Sequence, residues 1–194
     1  MNVVIIDYGA GNIKSLQYAF NRLGSSAILT NSPEKIKAAD RVIFPGVGQA
    51  SSAMKMLQKN KLDHLIPSLT QPVLGICLGM QLLCNTSEEG NTKGLGIFDT
   101  QVKQFSKNVK VPQVGWNTIE NLKSDLFKSI NDKAYMYLVH SYYAAINYQT
   151  IAHTSYDTIY ASALQHNNFY GVQFHPEKSG DVGAQLLKNF LELD

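Results

Sequence analysis

The stretch Pro72-Val73-Leu74-Gly75-Ile76-Cys77-Leu78-Gly79-Met80-Gln81 constrains this chain more than any other. An apolar run leads into Cys77, with a glycine two residues before it and another two after. A helical pattern follows in Leu78, Gln81, Leu82 and Leu83. The segment reads as a strand, a sharp turn and a helix, with the cysteine on the turn. That is the cysteine form of a nucleophile elbow, which presents a reactive side chain at the end of a sheet. The glycines let backbones pass closely and relieve strain at the turn. The free N–H groups and macrodipole of the following helix stabilise negative charge on a sulfur placed there. A small cysteine packed in a strand-to-helix turn is the competing reading, and this segment alone does not separate the two.

The far end of the chain separates them. It runs Asn168-Phe169-Tyr170-Gly171-Val172-Gln173-Phe174-His175-Pro176-Glu177-Lys178, with strand alternation up to His175. Proline donates nothing to a ladder, so the strand ends there. Residues two apart in an extended segment point the same way, which lets His175 and Glu177 reach one site. A histidine that takes a thiol proton needs a partner to fix its tautomer and support the imidazolium, usually a carboxylate. Cys77, His175 and Glu177 thus supply nucleophile, base and orienter.

The first half alternates in period. Residues 2–7, 26–30, 41–44 and 72–76 read as strands, and 12–23, a short segment from Ser32, 49–59 and 62–69 as helices. Ser32 is the expected N-cap, with Pro33 at the first helical position, and Gly24 ends the helix before it. Alternation of this kind implies an α/β fold with a mostly parallel central sheet covered by helices. From 95 to 120 and 134 to 174 the chain is rich in Val, Ile, Tyr and Phe, which predicts mainly antiparallel strands and hairpins added to that sheet. A last helix is expected over 179–192, with Leu186, Leu187, Phe190 and Leu191 inward. At 194 residues the expectation is a single domain, 1–194. Cys84, seven residues after Cys77, falls about two turns along the same helix and reads as core packing.

Charge and composition exclude several classes. Seventeen basic and fifteen acidic residues leave a net charge of +2, too balanced for a nucleic-acid binder. No apolar run approaches the ~20 residues of a membrane span. Met1 to Asp7 reads as a strand rather than a signal peptide, and the two cysteines form no disulfide framework. A cytoplasmic protein without metal or cofactor is expected.

Active sites in open α/β sheets lie beyond the carboxyl ends of strands. Cys77, Pro45-Gly46-Val47-Gly48 and Asp7-Tyr8-Gly9 all follow predicted strands. Glycine in the Pro-Gly-Val-Gly loop lets a backbone N–H turn toward an incoming carbonyl oxygen. That loop lacks the Gly-Lys-Ser/Thr ending of a phosphate loop.

Gly75-Ile76-Cys77-Leu78-Gly79-Met80-Gln81 together with His175-Pro176-Glu177 resembles the class I (triad) glutamine amidotransferases. Within that group, five further segments resemble the HisH family of glutaminase subunits of imidazole glycerol phosphate synthase. They are Asp7 to Asn12, Phe44 to Gly48, Val139-His140-Ser141-Tyr142, Gly115-Trp116-Asn117 and Lys178-Ser179-Gly180. The resemblance implies a flavodoxin-like amidotransferase fold and glutamine hydrolysis through a Cys77 thioester. It implies an oxyanion hole from Val47, Gly48 and Leu78, in a loop that turns over to aim its N–H inward. It implies glutamine contacts from Gly46, Gln81, Glu89, His140, Ser141 and Tyr142. It also implies a heterodimer with the HisF cyclase, a (β/α)8 barrel that receives ammonia through a channel, with Asn12, Trp116 and Lys178 near the interface. Trp116 reads equally as an exposed anchor or a core residue.

One departure stands out. The commonest pattern in that family is Pro-His-Met-Gly-Trp-Asn, and this chain has Pro112-Gln113-Val114-Gly115-Trp116-Asn117. The change touches the presumed partner face rather than the triad. It keeps open a paralogue feeding ammonia to surface-sugar amidination. A non-catalytic partner-binding subunit and a thiol hydrolase with the same triad are the remaining alternatives.

Overall fold

The computed structural model describes residues 1–193. In its first half β1 (Val3–Ile6), β2 (Ala27–Thr30), β3 (Arg41–Phe44) and β4 (Val73–Ile76) alternate with α1 (Ile13–Arg22), α2 (Pro33–Lys37), α3 (Ala50–Lys59) and α4 (Leu62–Leu65). After β4 comes the short α5 (Leu78–Leu83). Then follow β5 (Cys84–Ser87), β6 (Thr92–Lys93), β7 (Phe98–Gln104), β8 (Gln113–Ile119), β9 (Ala134–His140), β10 (Tyr142–Ala144), β11 (Thr150–Ser155), β12 (Ile159–His166) and β13 (Phe169–Val172). The chain closes with α6 (Gly180–Glu192).

Among the described residues, eleven strands join one sheet in the order β2-β1-β3-β4-β13-β12-β10-β7-β5-β6, with β11 branching from β12. The strands β2, β1, β3, β4 and β13 run parallel. Beyond β13 the sheet turns antiparallel through β12, β10 and β7. Strand alternation divides the core between the two faces. Val3 and Ile5 pack with Leu16 and Phe20 of α1 and Leu187 and Phe190 of α6. Val4 and Ile6 pack with Ile36 of α2, Leu57 of α3, Leu62 of α4 and Leu83 of α5. Local signals act as expected: Ser32 Oγ accepts the Lys35 N–H at 3.3 Å, Pro33 opens α2, and Gly24 takes φ +74° after α1.

Two expectations fail. Cys84 is not on the elbow helix, because α5 stops at Leu83 and Cys84 begins β5. The N–H groups of Leu95, Ile97 and Gly96 take the carbonyls of Leu82, Leu83 and Cys84, which a continuing helix needs for itself. Cys84 is nevertheless fully buried, as core packing requires. The second concerns β8 and β9, which stay out of the central sheet and pair with each other as a separate antiparallel ribbon. One face of the ribbon buries Ile119, Met136 and Leu138 against the α6 side of the core. The other leaves Val114, Trp116 and Tyr135 exposed.

Candidate active site

Cys77 sits between β4 and α5 with φ 54° and ψ −111°. A non-glycine residue there is strained by about 1–3 kcal/mol, and such strain persists only where packing enforces it. Two features enforce it. The Cys77 N–H donates to Val172 O at 2.8 Å, which ties the elbow to the end of β13. Gly79 lies against β3 so closely that a Cβ there would stand 2.0 Å from Phe44 O.

The parallel pairing of β13 with β4 brings His175 to the elbow. His175 is clamped through its backbone: its N–H donates to Tyr137 O at 2.9 Å, and Ser179 Oγ donates to its carbonyl at 2.7 Å. The same Ser179 oxygen accepts the Tyr137 N–H at 3.0 Å, so the ribbon helps to hold the histidine. His175 Nδ1 lies 2.8 Å from Glu177 Oε1, and both side chains are almost wholly buried. Glu177 arrives through the single 3-10 turn Pro176–Lys178, not through an extended strand as the spacing suggests. Nδ1–H donating to Glu177 leaves Nε2 as the free nitrogen, and Nε2 is buried without a hydrogen-bond partner. Burial opposes charge on His175. The Cys77 sulfur and the Glu177 carboxylate outweigh it and push its pKa up to about 10.

Cys77 and His175 open onto a cavity of about 400 Å³. Val47, Gly48, Leu78, Gln81, Glu89, His140, Ser141 and Tyr142 are among the residues that line it. Gly48 has φ +94°, which gives the loop its left-handed turn. Leu78 opens α5, where a helix offers its N–H no internal acceptor. Gly46, expected among the glutamine contacts, does not line this cavity. It is packed behind the loop, where an added Cβ would meet Gly79 N at 2.7 Å. The loop after β1 does not reach the cavity either. Tyr8 turns inward, and its hydroxyl donates to Pro45 O at 2.8 Å, propping the loop from beneath. An apolar-looking aromatic after a strand gave no sign of that role.

Several of the polar lining groups are held by hydrogen bonds. Gln81 Nε2 donates to Tyr142 O and to Gln173 Oε1, each at 2.8 Å, which leaves its carbonyl oxygen for anything in the cavity. Glu89 Oε2 accepts the Ala50 N–H at 2.8 Å. His140 is buried, its Nδ1 2.7 Å from Tyr142 O, and burial drives its pKa down to about 4. It is a neutral structural histidine. No group of three or more His, Cys, Asp or Glu side chains among the described residues is arranged to hold a metal ion.

Two of the three interface candidates, Trp116 and Lys178, meet at Tyr137. Trp116 is 55% exposed on the outer ribbon face, its ring edge-on to Tyr137 at 6.0 Å. Lys178 Nζ stands 5.8 Å from the centroid of the same Tyr137 ring. Asn12 caps α1 without a side-chain hydrogen bond, and the neighbouring Gly11 abuts Pro45 of the cavity loop.

The family model described as glutamine amidotransferase class-I matches residues 4–193. The subunit HisH of imidazole glycerol phosphate synthase from Bacteroides fragilis is 55% identical over 196 residues, with both chains fully covered. The chain belongs to the HisH branch of the class-I glutamine amidotransferases. The HisH subunit of Idiomarina loihiensis is 46% identical to this amidotransferase, which it matches over the whole chain and 98% of its own. Among solved structures, one described as a glutamine amidotransferase superposes with a TM-score of 0.77 at 17% identity, covering 98% of both chains. The structure of PurLQS from Thermotoga maritima gives 0.74 at 16% identity, covering 98% of this chain and 97% of that one. These two share the fold: a mostly parallel sheet between helices.

Proposed function

We propose that this chain is the glutaminase subunit of an imidazole glycerol phosphate synthase, acting as a single amidotransferase domain in the cytoplasm. The observation that carries the reading is His175, which has Glu177 on Nδ1 and a free Nε2 beside Cys77 under a cavity of about 400 Å³. Identity of 55% and 46% over the full chain to two HisH subunits supports the pathway.

In this reading glutamine enters with its side-chain amide carbon over Cys77. His175 holds the proton taken from the Cys77 thiol, and the sulfur attacks as the thiolate of that pair. The oxyanion is met by backbone N–H groups of the Val47-Gly48 segment and Leu78, each such donor being worth about 10²–10³ in rate. Imidazolium His175 then gives its proton to the leaving nitrogen, which departs as ammonia. Water, deprotonated by the same histidine, cleaves the γ-glutamyl thioester to glutamate. At the other end of the substrate, Glu89 and the Gln81 carbonyl oxygen suit the α-ammonium, and the segment of His140, Ser141 and Tyr142 suits the α-carboxylate.

Released ammonia would be protonated in bulk water, so delivery calls for a docked synthase. We assign that role to a HisF-type (β/α)8 cyclase seated on the outer ribbon face around Trp116, Lys178 and Asn12. An exposed Trp beside Tyr137 has the character of an interface anchor. The test mixes this protein with a HisF cyclase and follows glutamate release with and without the cyclase's nucleotide substrate. Strong stimulation by cyclase plus nucleotide is expected. Glutamate release that is indifferent to both would break the link to histidine biosynthesis and favour the surface-sugar paralogue.

A further inference from the structure

Gln173 takes no part in the reaction just described and does not line the cavity, yet it is fully buried and both ends of its amide meet the site. Its Nε2 donates toward Cys77 Sγ at 3.8 Å. Its Oε1 accepts from Gln81 Nε2 at 2.8 Å. Gln81 spends its second amide hydrogen on Tyr142 O, which also takes the Nδ1–H of His140. The nucleophile and the cavity wall are therefore joined through one side chain.

A leucine or methionine would fill the position without the cost of desolvating an amide. What distinguishes the amide is the group its N–H faces. A thiol is a weak acceptor, whereas a thiolate is an anion and draws a charge-assisted hydrogen bond. We propose that Gln173 is a positioning residue that holds the Cys77 thiolate by an N–H···S bond and locks that bond to Gln81. The sulfur then keeps its place relative to the wall that receives glutamine. This inference rests on the reading of Cys77 as the nucleophile.

The experiment compares the unmodified protein with Gln173→Met and Gln173→Asn. Methionine keeps the volume and removes both bonds. Asparagine keeps an amide that is one methylene too short to reach the sulfur. Alkylation of Cys77 by iodoacetamide is followed by mass spectrometry from about pH 5 to about pH 10, since only the thiolate reacts. In both variants alkylation is expected to slow about ten-fold in the acidic range and to recover at the alkaline end. A profile that stays in place in either folded variant overturns the proposal. In the unmodified protein the Gln173 side-chain amide resonances, assigned by NMR, are expected to move with the same pH profile. Resonances that ignore it overturn the proposal even where neither variant folds. A Cys77 that resists alkylation at every pH overturns the proposed function as well, whereas a reactive Cys77 with an unmoved profile overturns the role of Gln173 alone.

Discussion

Glu89 Oε2 takes the N–H of Ala50, the first residue of α3, at 2.8 Å, so the carboxylate that faces the cavity is anchored to a helix N-terminus. The anchor fixes where its charge is presented. Glu89→Gln keeps an acceptor for Ala50 and removes the charge. KM for glutamine is expected to rise about 10–100-fold with kcat nearly unchanged, the range of a lost hydrogen bond to a charged group. Steady-state glutaminase kinetics check this. A fall in kcat at constant KM would contradict it.

Glu177 determines which nitrogen of His175 is free. Glu177→Gln leaves the shape in place but lets the imidazole turn or change tautomer. A loss of about 10²–10⁴ in kcat is expected, the usual worth of a positioned general base. Alkylation of Cys77 should remain measurable in the variant, which separates loss of the base from loss of the fold.

His140 makes stability sensitive to acid. Burial holds its pKa at about 4 in the folded state, below the ordinary 6.5. The unfolded chain therefore binds the proton first. Stability is complete above 6.5 and is lost as pH falls through about 4, by an amount on the order of 3 kcal/mol. His175 acts in a different window. Its raised value, about 10, gives stability that is present below 6.5 and lost as pH climbs through 10. Urea unfolding of His140→Asn and wild type between those acid limits isolates the first effect. The difference between the two proteins should shrink as pH falls.

Gly79 is the contact that lets α5 lie on β3. Gly79→Ala would place a Cβ 2.0 Å from the Phe44 carbonyl oxygen, and backbone must move to admit it. An overpacking loss of about 1–3 kcal/mol is expected, together with loss of glutaminase activity, because Cys77 and Leu78 move with the helix. Gly24→Ala is the contrast. It has open space but φ +74°, so it should cost about 1 kcal/mol of strain and leave activity intact. Thermal unfolding and glutamate release measured on both variants check the pair.

Much of this was legible in the chain. Glycines around Cys77, Ser32-Pro33 before α2 and the period changes of the first half are local signals, and local geometry obeys them. Features set by pairing between distant segments were not legible. The ribbon of β8 and β9 has the alternation of any antiparallel strand, and nothing in it says which sheet it joins. The end of α5 is fixed by segment 95–97, which competes for its carbonyls. Tyr8 and Gln173 look like an ordinary aromatic and a stray polar residue until the fold brings Pro45 and Cys77 to them. A polar residue at an inward position of a buried strand, as at Gln173, was the one available hint.

The most direct test of the account is the site of covalent capture by a glutamine-analogue electrophile, read by intact mass and peptide mapping. A single adduct on Cys77 is expected, suppressed by excess glutamine and absent in Cys77→Ala, which should also release no glutamate. An adduct elsewhere, or glutamate release that survives Cys77→Ala, would contradict the assignment of Cys77 as the nucleophile.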